Sequence, residues 1–416
     1  MQTKKGVQNR YAALLVWDVT NVQTAHLKTK FELAPASLVA EKTAGLTNQA
    51  LRAWEEDQGQ KRLKPGELLL EQDGQPLVLP LLAPEAVERL RRGTAPKAVR
   101  RELEMLQYRS MQQVQPEAGI DDLWRILSQT ELPLKRGAHA DFLPESPLSP
   151  GRLNHRAQTL AGEIPSSVLE PVTRTLVDEW GLRPAQAEGM VALAAKTYAR
   201  CCPRLDELEP GQMVWLAHGT RKTRRTDPRL FAPVILTLLA PEELESAPAN
   251  RVELKQLKTR QIERLTTEAW RQDGVPTSLD LEWILGISPT LIRELLEAYQ
   301  ERFGVLLPTA GTVLDMGRTL THKTIVVELA LSGLTTQEIA RRIYHTPEAV
   351  DNYLRLFERV LLLRYYKLPV SVMIRVTGHG KALLEEHLAL VEKHFPNEEA
   401  LVTYLGQRDV TLEKSS

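Results

Sequence analysis

The segment from Leu334 to Leu354 constrains the fold of this chain most strongly, because it has the pattern of two helices crossing at a tight turn. Thr346 is placed to cap the second helix, and Pro347 suits the first position of that helix. Small and apolar residues fall where the two helices must face each other: Ile339, Ala340, Ile343, Val350 and Leu354. This arrangement is typical of a helix-turn-helix, whose second helix enters a DNA groove.

The same pattern occurs twice more, in 278–296 and in 370–388. Aligning the three copies places Gly286, Tyr344 and Gly378 at the turn. Tyr344 replaces the usual glycine, which is acceptable if the turn avoids a positive φ. Three copies favour a helix-turn-helix array, and the alternative is a plain helical bundle.

If the array binds DNA, the exposed side chains of the second helices read bases and nearby arginines hold phosphates. Asn352 suits adenine, whereas Glu348 or Asp351 suits cytosine. Leu291 and Glu294 are further candidates in the first copy. The predicted contacts from the three helix pairs are Thr290, Arg293, Arg341, Arg342, Glu348, Asn352, Arg355 and Arg359.

The overall charge excludes a nonspecific polycation, since 53 basic residues balance 53 acidic ones in 416 residues. Charge is nevertheless concentrated locally. Between Arg341 and Lys381, eight basic residues stand against three acidic ones, an excess of +5. A solvated helix face would explain such a run by itself, but here it coincides with the predicted motif.

The chain has two cysteines, Cys201 and Cys202, and because they are adjacent we expect neither a disulfide nor a zinc site. No apolar run approaches a membrane span, and no secretory signal follows the basic amino terminus. We therefore expect a reduced, cytoplasmic protein with no membrane partner.

Two segments, near 20–127 and 165–285, repeat four features in the same order. A Leu-x-Pro motif precedes an alanine-rich helix at 33–35 and at 182–184. Pro-Gly then opens a hairpin, at 65–66 and at 210–211. Each hairpin ends in Leu-Leu-Ala-Pro-Glu, at 81–85 and at 238–242. A similar run then follows in each segment, Asp-Asp-Leu-Trp-Arg-Ile-Leu at 121–127 and Leu-Asp-Leu-Glu-Trp-Ile-Leu at 279–285. The sequence predicts two helix–hairpin–helix units, which a proline-rich linker separates.

The second predicted hairpin carries a basic loop, 219–229. It is either a finger that lies along a DNA backbone or a solvated loop. Its predicted phosphate contacts are Arg221, Lys222, Arg224 and Arg225.

Two short apolar segments, 303–309 and 311–314, predict a β wing after the first helix-turn-helix. Thr309 and Thr312 would then be free to bond phosphates. Further predicted DNA contacts come just before or at the start of the next helix: Arg318, His322 and Lys323.

Four runs in the second part of the chain share a pattern: Pro-Gly-Gln-Met-Val-Trp at 210–215, Leu-Pro-Thr-Ala-Gly-Thr at 307–312, Thr-His-Lys at 321–323 and Glu-Ile-Ala-Arg-Arg at 338–342. Together they resemble a bacterial and archaeal domain-of-unknown-function family that ends in a winged and tandem helix-turn-helix segment. The resemblance covers roughly 160–395 and implies DNA binding, often in mobile elements. Ala310 departs from the arginine expected there, which weakens the wing as a phosphate contact.

Signs of catalysis are few. Gly378-His379-Gly380-Lys381 lacks the upstream glycine of a phosphate-binding loop. His379, His387 and His394 are more typical of a helix surface than of a metal site, and Asp280 and Glu282 of a solvated face than of a nuclease pair. We expect a binding protein without a metal or cofactor, and not an enzyme.

We therefore predict a mainly α fold with small β-hairpins and several domains. Two functions stay open: a sequence-specific transcriptional regulator, or a DNA-targeting accessory of a mobile genetic element that docks a protein partner through the amino-terminal repeats. The predicted segments are an amino-terminal unit at 1–128, a linker at 129–152, a second unit at 153–265, a winged helix at 266–323, a tandem helix-turn-helix at 324–396 and a tail at 397–416.

Overall fold

The computed structural model describes residues 18–72, 74–114, 164–220, 230–245, 248–314, 322–344 and 346–406. These residues are mainly helical with a small antiparallel sheet, as the sequence predicts. The chain divides into two compact units, Met1–Leu314 and Asp315–Ser416. The finer division into six segments stays a prediction, and the predicted linker lies outside the described residues.

In the first unit, one order of elements occurs twice: two helices, a β-hairpin and two helices. The first set is α1 (Val19–Lys30), α2 (Val39–Asp57), β1 (Glu67–Gln72), β2 (Gln75–Pro80), α3 (Pro84–Arg91) and α4 (Pro96–Val114). The second set is α5 (Ser166–Asp178), α6 (Pro184–Cys201), β3 (Gln212–Gly219), β4 (Phe231–Thr237), α7 (Pro241–Glu245) and α8 (Arg251–Arg271). Both predicted hairpins are confirmed, whereas residues 115–127 lie outside the described part of the chain.

Helices α1, α2, α5 and α6 pack together as a bundle whose core uses equivalent residues of the two sets. Leu27 of α1 and Leu176 of α5 are both fully buried. Leu27 packs on small residues of α2 and α6, including Ala194, and Leu176 packs on Ala187 and Val191 of the same stretch of α6. After each of these helices the backbone takes a positive φ, 50° at Glu32 and 67° at Gly181. The repeated Leu-x-Pro segments therefore make the same kind of turn.

The two hairpins join edge to edge into one antiparallel sheet with the order β2-β1-β3-β4. Leu68 of β1 lies opposite Met213 of β3 where the hairpins meet. Helix α4 packs on β2, and helix α8 packs on β4. The sequence predicts the hairpins but not their union.

The first unit ends with β5 (Gly274–Val275), which pairs with β3, and with α9 (Ser278–Leu285), α10 (Pro289–Phe303) and α11 (Ala310–Leu314). The predicted wing is wrong, because 304–309 forms no strand and the next five residues are helical. Thr309 and Thr312 are buried and bonded to each other, with the Thr309 amide donating to Thr312 Oγ1 at 2.7 Å. They cap a helix and cannot bind phosphate.

The second unit is helical throughout its described residues. Its elements are α12 (His322–Leu331), α13 (Thr336–Arg342), α14 (Pro347–Tyr365), α15 (Val370–Thr377), α16 (Lys381–His394) and α17 (Glu398–Gly406). Helix α14 contacts α12, α13, α15, α16 and α17, so it is the centre of this unit. Its inner face buries Phe357, Val360 and Leu361 against Met373 and Leu384.

Candidate nucleic-acid interface

Helices α13 and α14 form a closely connected pair whose ends are fixed by side-chain caps. At the start of α13, Thr335 Oγ1 accepts from the Glu338 amide at 3.3 Å, and Glu338 Oε2 accepts from the Thr335 amide at 2.9 Å. At the start of α14, Thr346 Oγ1 accepts from the Ala349 amide at 3.3 Å. Tyr344 turns the chain with φ 58°, so the expectation that this turn avoids a positive φ is wrong. The same conformation at Gly286 and Gly378 gives all three helix pairs the same turn.

The inner face of the α13–α14 pair is buried as predicted at Ile339, Ala340, Ile343 and Val350. Leu354 is half-buried. The Thr336 hydroxyl donates to Asp351 Oδ1 at 3.0 Å and ties the two helices together. Asp351 therefore serves the packing of the pair, and this contact was not foreseen from the sequence.

One face of α14 presents a row of exposed polar side chains, named here the α14 stripe: Glu348, Asn352, Arg355 and Arg359. Their spacings of four, three and four residues place them on a single helix face. Arg341 and Arg342 are exposed on the last turn of α13. Within the described part of the chain, none of these four arginines makes an ion pair. Their charges are therefore available to an anionic partner.

A groove of about 410 Å³ runs along the α14 stripe. Asn352, Arg355 and Arg359 form one wall, and His379 and Leu383 from the next helix pair form the other. From the sequence, His379 was considered only as part of a phosphate-binding loop and as a metal ligand. The sequence offered one signal for its role. His379 directly follows the turn residue Gly378, and in the preceding helix pair polar side chains also lie near the equivalent turn at Tyr344.

Electrostatics keep Glu338 ionised in the first turn of α13, where it lies three and four residues before Arg341 and Arg342. Hydrogen bonds from the Thr335 amide and hydroxyl lower the pKa of Glu338, and the positive charges of Arg342 and Arg341 lower it further. The carboxylate thus works as a helix cap, and it offsets part of the positive charge beside it.

The first helix pair, α9 and α10, has a different surface. Thr290 and Arg293 are exposed, as DNA contact requires, whereas Leu291 is buried and cannot read a base. Arg293 Nε lies 3.9 Å from Glu297 Oε1. Helix α10 also carries Glu294 and Glu301, so its net charge is negative. Local charge therefore separates this pair from the α14 stripe.

Several predicted contacts are not described in their side chains. Arg221, Lys222, Arg224, Arg225 and Arg318 lie outside the described residues. His322 and Lys323 begin α12, and only their backbone is described. Their roles stay predictions from the sequence.

Three of the acidic and histidine residues weighed for catalysis are placed differently from the prediction. Asp280 and Glu282 are buried instead of solvated. Asp280 accepts from the Thr277 amide at 2.6 Å and begins α9. His387 is buried against the Phe357 ring instead of lying on the surface. Across the described residues, no group of three or more histidine, cysteine or acidic side chains is placed to hold a metal ion.

None of the described helices is both long enough and apolar enough to cross a membrane. No curated protein and no solved structure matches the chain. One family model matches residues 178–390, which include the second hairpin, the first two helix pairs and most of the third. The chain belongs to the family described as "Protein of unknown function (DUF1670)".

Proposed function

We propose that the second unit binds double-stranded DNA and that α13 and α14 act as a helix-turn-helix. In this proposal, α14 enters the major groove with the α14 stripe facing the bases. Asn352 pairs with adenine, and Glu348 accepts from cytosine. Arg355, Arg359, Arg341 and Arg342 contact phosphates on either side of the groove.

The observation that carries the proposal is the coincidence of unpaired arginines with a capped, rigid helix. DNA affinity comes largely from cationic groups that displace counterions, and arginines already held in ion pairs contribute less to it. The four arginines lie on the exposed surfaces of α13 and α14, and none of them makes an ion pair within the described residues, although Glu338 offsets part of the charge of Arg341 and Arg342. The packing of α12, α13 and α14 around Val326, Ile339 and Val350 would hold the reading helix in place.

We propose further that the protein is a transcriptional regulator located in the cytoplasm and that it is a binding protein instead of an enzyme. The test is binding-site selection from random duplex DNA with the full chain, followed by sequencing. Enrichment of a defined motif is the expected result. Absence of enrichment with a folded protein would overturn specific recognition. Cleavage of supercoiled DNA that depends on an added divalent metal would overturn the proposal that the protein is not an enzyme.

The second candidate is a DNA-targeting accessory of a mobile genetic element, which docks a partner protein. The charge of α10 favours it, since Arg293 is paired and three glutamates share that helix. Such a surface suits a protein contact better than a phosphate backbone. Charge reversal of Glu294 and Glu301 distinguishes the candidates, because an accessory would lose its partner and keep its DNA motif.

A further inference from the structure

A cavity of about 60 Å³ lies inside the first unit, where the two repeated sets of elements meet. Leu81 and Leu238, which hold the same place in the repeated Leu-Leu-Ala-Pro-Glu, both line it. Glu104 and Gln261 also line it, and each comes 23 residues after its leucine. The cavity is thus built from equivalent positions of both sets, and junctions of this kind are common places for ligand sites.

The feature that distinguishes this cavity is the side chain of Lys258 on α8. Lys258 lines the cavity and is only 5% exposed. In the described residues its ammonium makes no hydrogen bond and no ion pair. Glu243 is the carboxylate that acts on it, but Arg264 already occupies both oxygens of Glu243. A largely buried lysine without a hydrogen-bond acceptor in the described residues can donate to a ligand that enters the cavity.

Gln261 supplies a second unmet polar group in the same cavity. Its side-chain amide nitrogen donates to the Leu238 carbonyl at 3.1 Å. Its buried Oε1 accepts no hydrogen bond within the described part of the chain. Lys258 and Gln261 therefore offer a cationic donor and a neutral acceptor, beside the charged Arg100 and Glu104, which also line the cavity.

The remaining walls limit the size and character of a ligand. Leu81, Leu238 and Ile284 are apolar, and the Trp283 ring is held by the Arg100 guanidinium 5.0 Å from its centre. At ~30 Å³ for each water molecule, the space holds roughly two waters or one organic acid of similar volume. The charged lining residues Lys258, Arg100 and Glu104 sum to +1, which matches a monovalent anion better than a divalent one.

We propose that this cavity binds a small hydroxycarboxylate, whose carboxylate pairs with Lys258 and whose hydroxyl donates to Gln261 Oε1. Burial lowers the pKa of Lys258 to about 8, and the charge of Glu243 opposes this shift. An anion beside the ammonium would raise that pKa again, because it favours the charged form. The site lies within the first unit and does not depend on the DNA-binding proposal.

The experiment is thermal unfolding of the full chain with sodium glycolate as the probe. Sodium acetate, phosphate and chloride at equal ionic strength are the comparisons. We expect glycolate to raise the Tm saturably by roughly 2 °C or more, and acetate, which lacks the hydroxyl, to raise it less. Equal shifts with chloride, or a shift with phosphate alone, would overturn the proposal.

Variants then assign the effect to the cavity. Lys258→Met removes the ammonium and should abolish the glycolate shift, whereas Lys255→Met, three residues earlier on α8, should keep it. Gln261→Leu should reduce the glycolate shift to that of acetate. Leu81→Phe narrows the cavity and leaves both polar groups in place, so it tests the site even if the Lys258 variant folds poorly. A glycolate shift that survives in both Lys258→Met and Leu81→Phe would place the ligand elsewhere.

Discussion

Leu68 and Met213 lie opposite each other in β1 and β3, and each follows the glycine of a Pro-Gly turn by two residues. The hydrogen bonds around this pair are reciprocal. The Gly66 amide donates to the Val214 carbonyl at 2.8 Å, and the Gly211 amide donates to the Leu69 carbonyl at 2.7 Å. The two hairpins are therefore related by a local two-fold axis that passes between Leu68 and Met213.

The glycines beside this axis should not tolerate a side chain. Gly211 has φ 90°, and a Cβ there would lie 1.9 Å from the Leu239 carbonyl oxygen. We expect Gly211→Ala to lower the free energy of unfolding by about 3 kcal/mol, through both backbone strain and this collision. Gly66→Ala should behave alike, since its Cβ would lie 2.1 Å from the Leu82 carbonyl oxygen. Urea unfolding measures the loss.

Gly59→Ala is the matched control for these substitutions. Gly59 also has a positive φ, 64°, but a Cβ there meets no atom within 4 Å. It should lose only the conformational part, about 1 kcal/mol. Equal losses at Gly59 and Gly211 would show that the close approach of the two chain segments is not what requires glycine.

The ion pair between Arg264 and Glu243 should contribute strongly to stability, because both side chains are largely buried. Arg264 also donates to the carbonyls of Thr237 at 2.8 Å and Leu238 at 2.9 Å. Arg264→Ala removes its hydrogen bonds to both carbonyls and to the buried Glu243 carboxylate. We expect a loss of about 3 kcal/mol in urea unfolding.

Arg260 provides the comparison on the same helix. It lies 4.0 Å from the same carboxylate, but its side chain is 43% exposed. Arg260→Ala should cost less than about 1 kcal/mol, since solvent screens such a pair. If Arg260 and Arg264 variants lost the same stability, burial would not be the cause of the difference.

The buried amine of Lys258 should make stability depend on alkaline pH. Burial lowers its pKa to about 8, against 10.5 for the exposed group. Between these values the unfolded chain binds a proton that the folded chain lacks, so stability rises with pH in that window. Below it, both states are charged and the folded state bears the full cost of burial.

Other groups titrate in the same range, so the measurement is a difference. Burial raises the pKa of Cys202 to about 12, which lowers stability as pH rises and opposes the lysine. The free energy of unfolding of the wild type minus that of Lys258→Met isolates Lys258. This difference should rise from about pH 8 to about pH 10, and a flat difference would contradict the burial effect.

Local patterns predicted the elements of this protein well. The Pro-Gly and Leu-Leu-Ala-Pro-Glu runs placed both hairpins, because they encode turns and strand ends within a few residues. The cap at Thr346 and the apolar positions around Ile339 and Val350 placed the α13–α14 pair for the same reason. These signals are short-range, so a single sequence contains them.

Long-range relationships were not predictable in the same way. Nothing local to β1 or β3 states that the hairpins pair with each other. Two short apolar segments with turn residues between them made 303–314 resemble two strands, but Thr309 and Thr312 can also cap a helix, and that use prevails. Lys258 was not singled out from the sequence, because only the packing of both sets of elements buries it. At the α14 stripe, the sequence identified the arginines and missed His379 across the groove.

If α13 and α14 bind DNA as a helix-turn-helix, their side chains should divide into those that read bases and those that hold phosphates. Asn352→Ala should relax specificity at one base pair, at a cost of ~1–3 kcal/mol on the selected site and little on random duplex. Arg341→Ala should weaken binding to both sequences alike and reduce the dependence of log Kd on log salt by about one charge.

Arg293→Ala on α10 is the control, because that arginine is already paired with Glu297 and lies on an acidic helix. Fluorescence anisotropy on both duplexes over a series of salt concentrations separates the three outcomes. Equal losses for Asn352→Ala on both duplexes would show that α14 holds the backbone and does not read the bases.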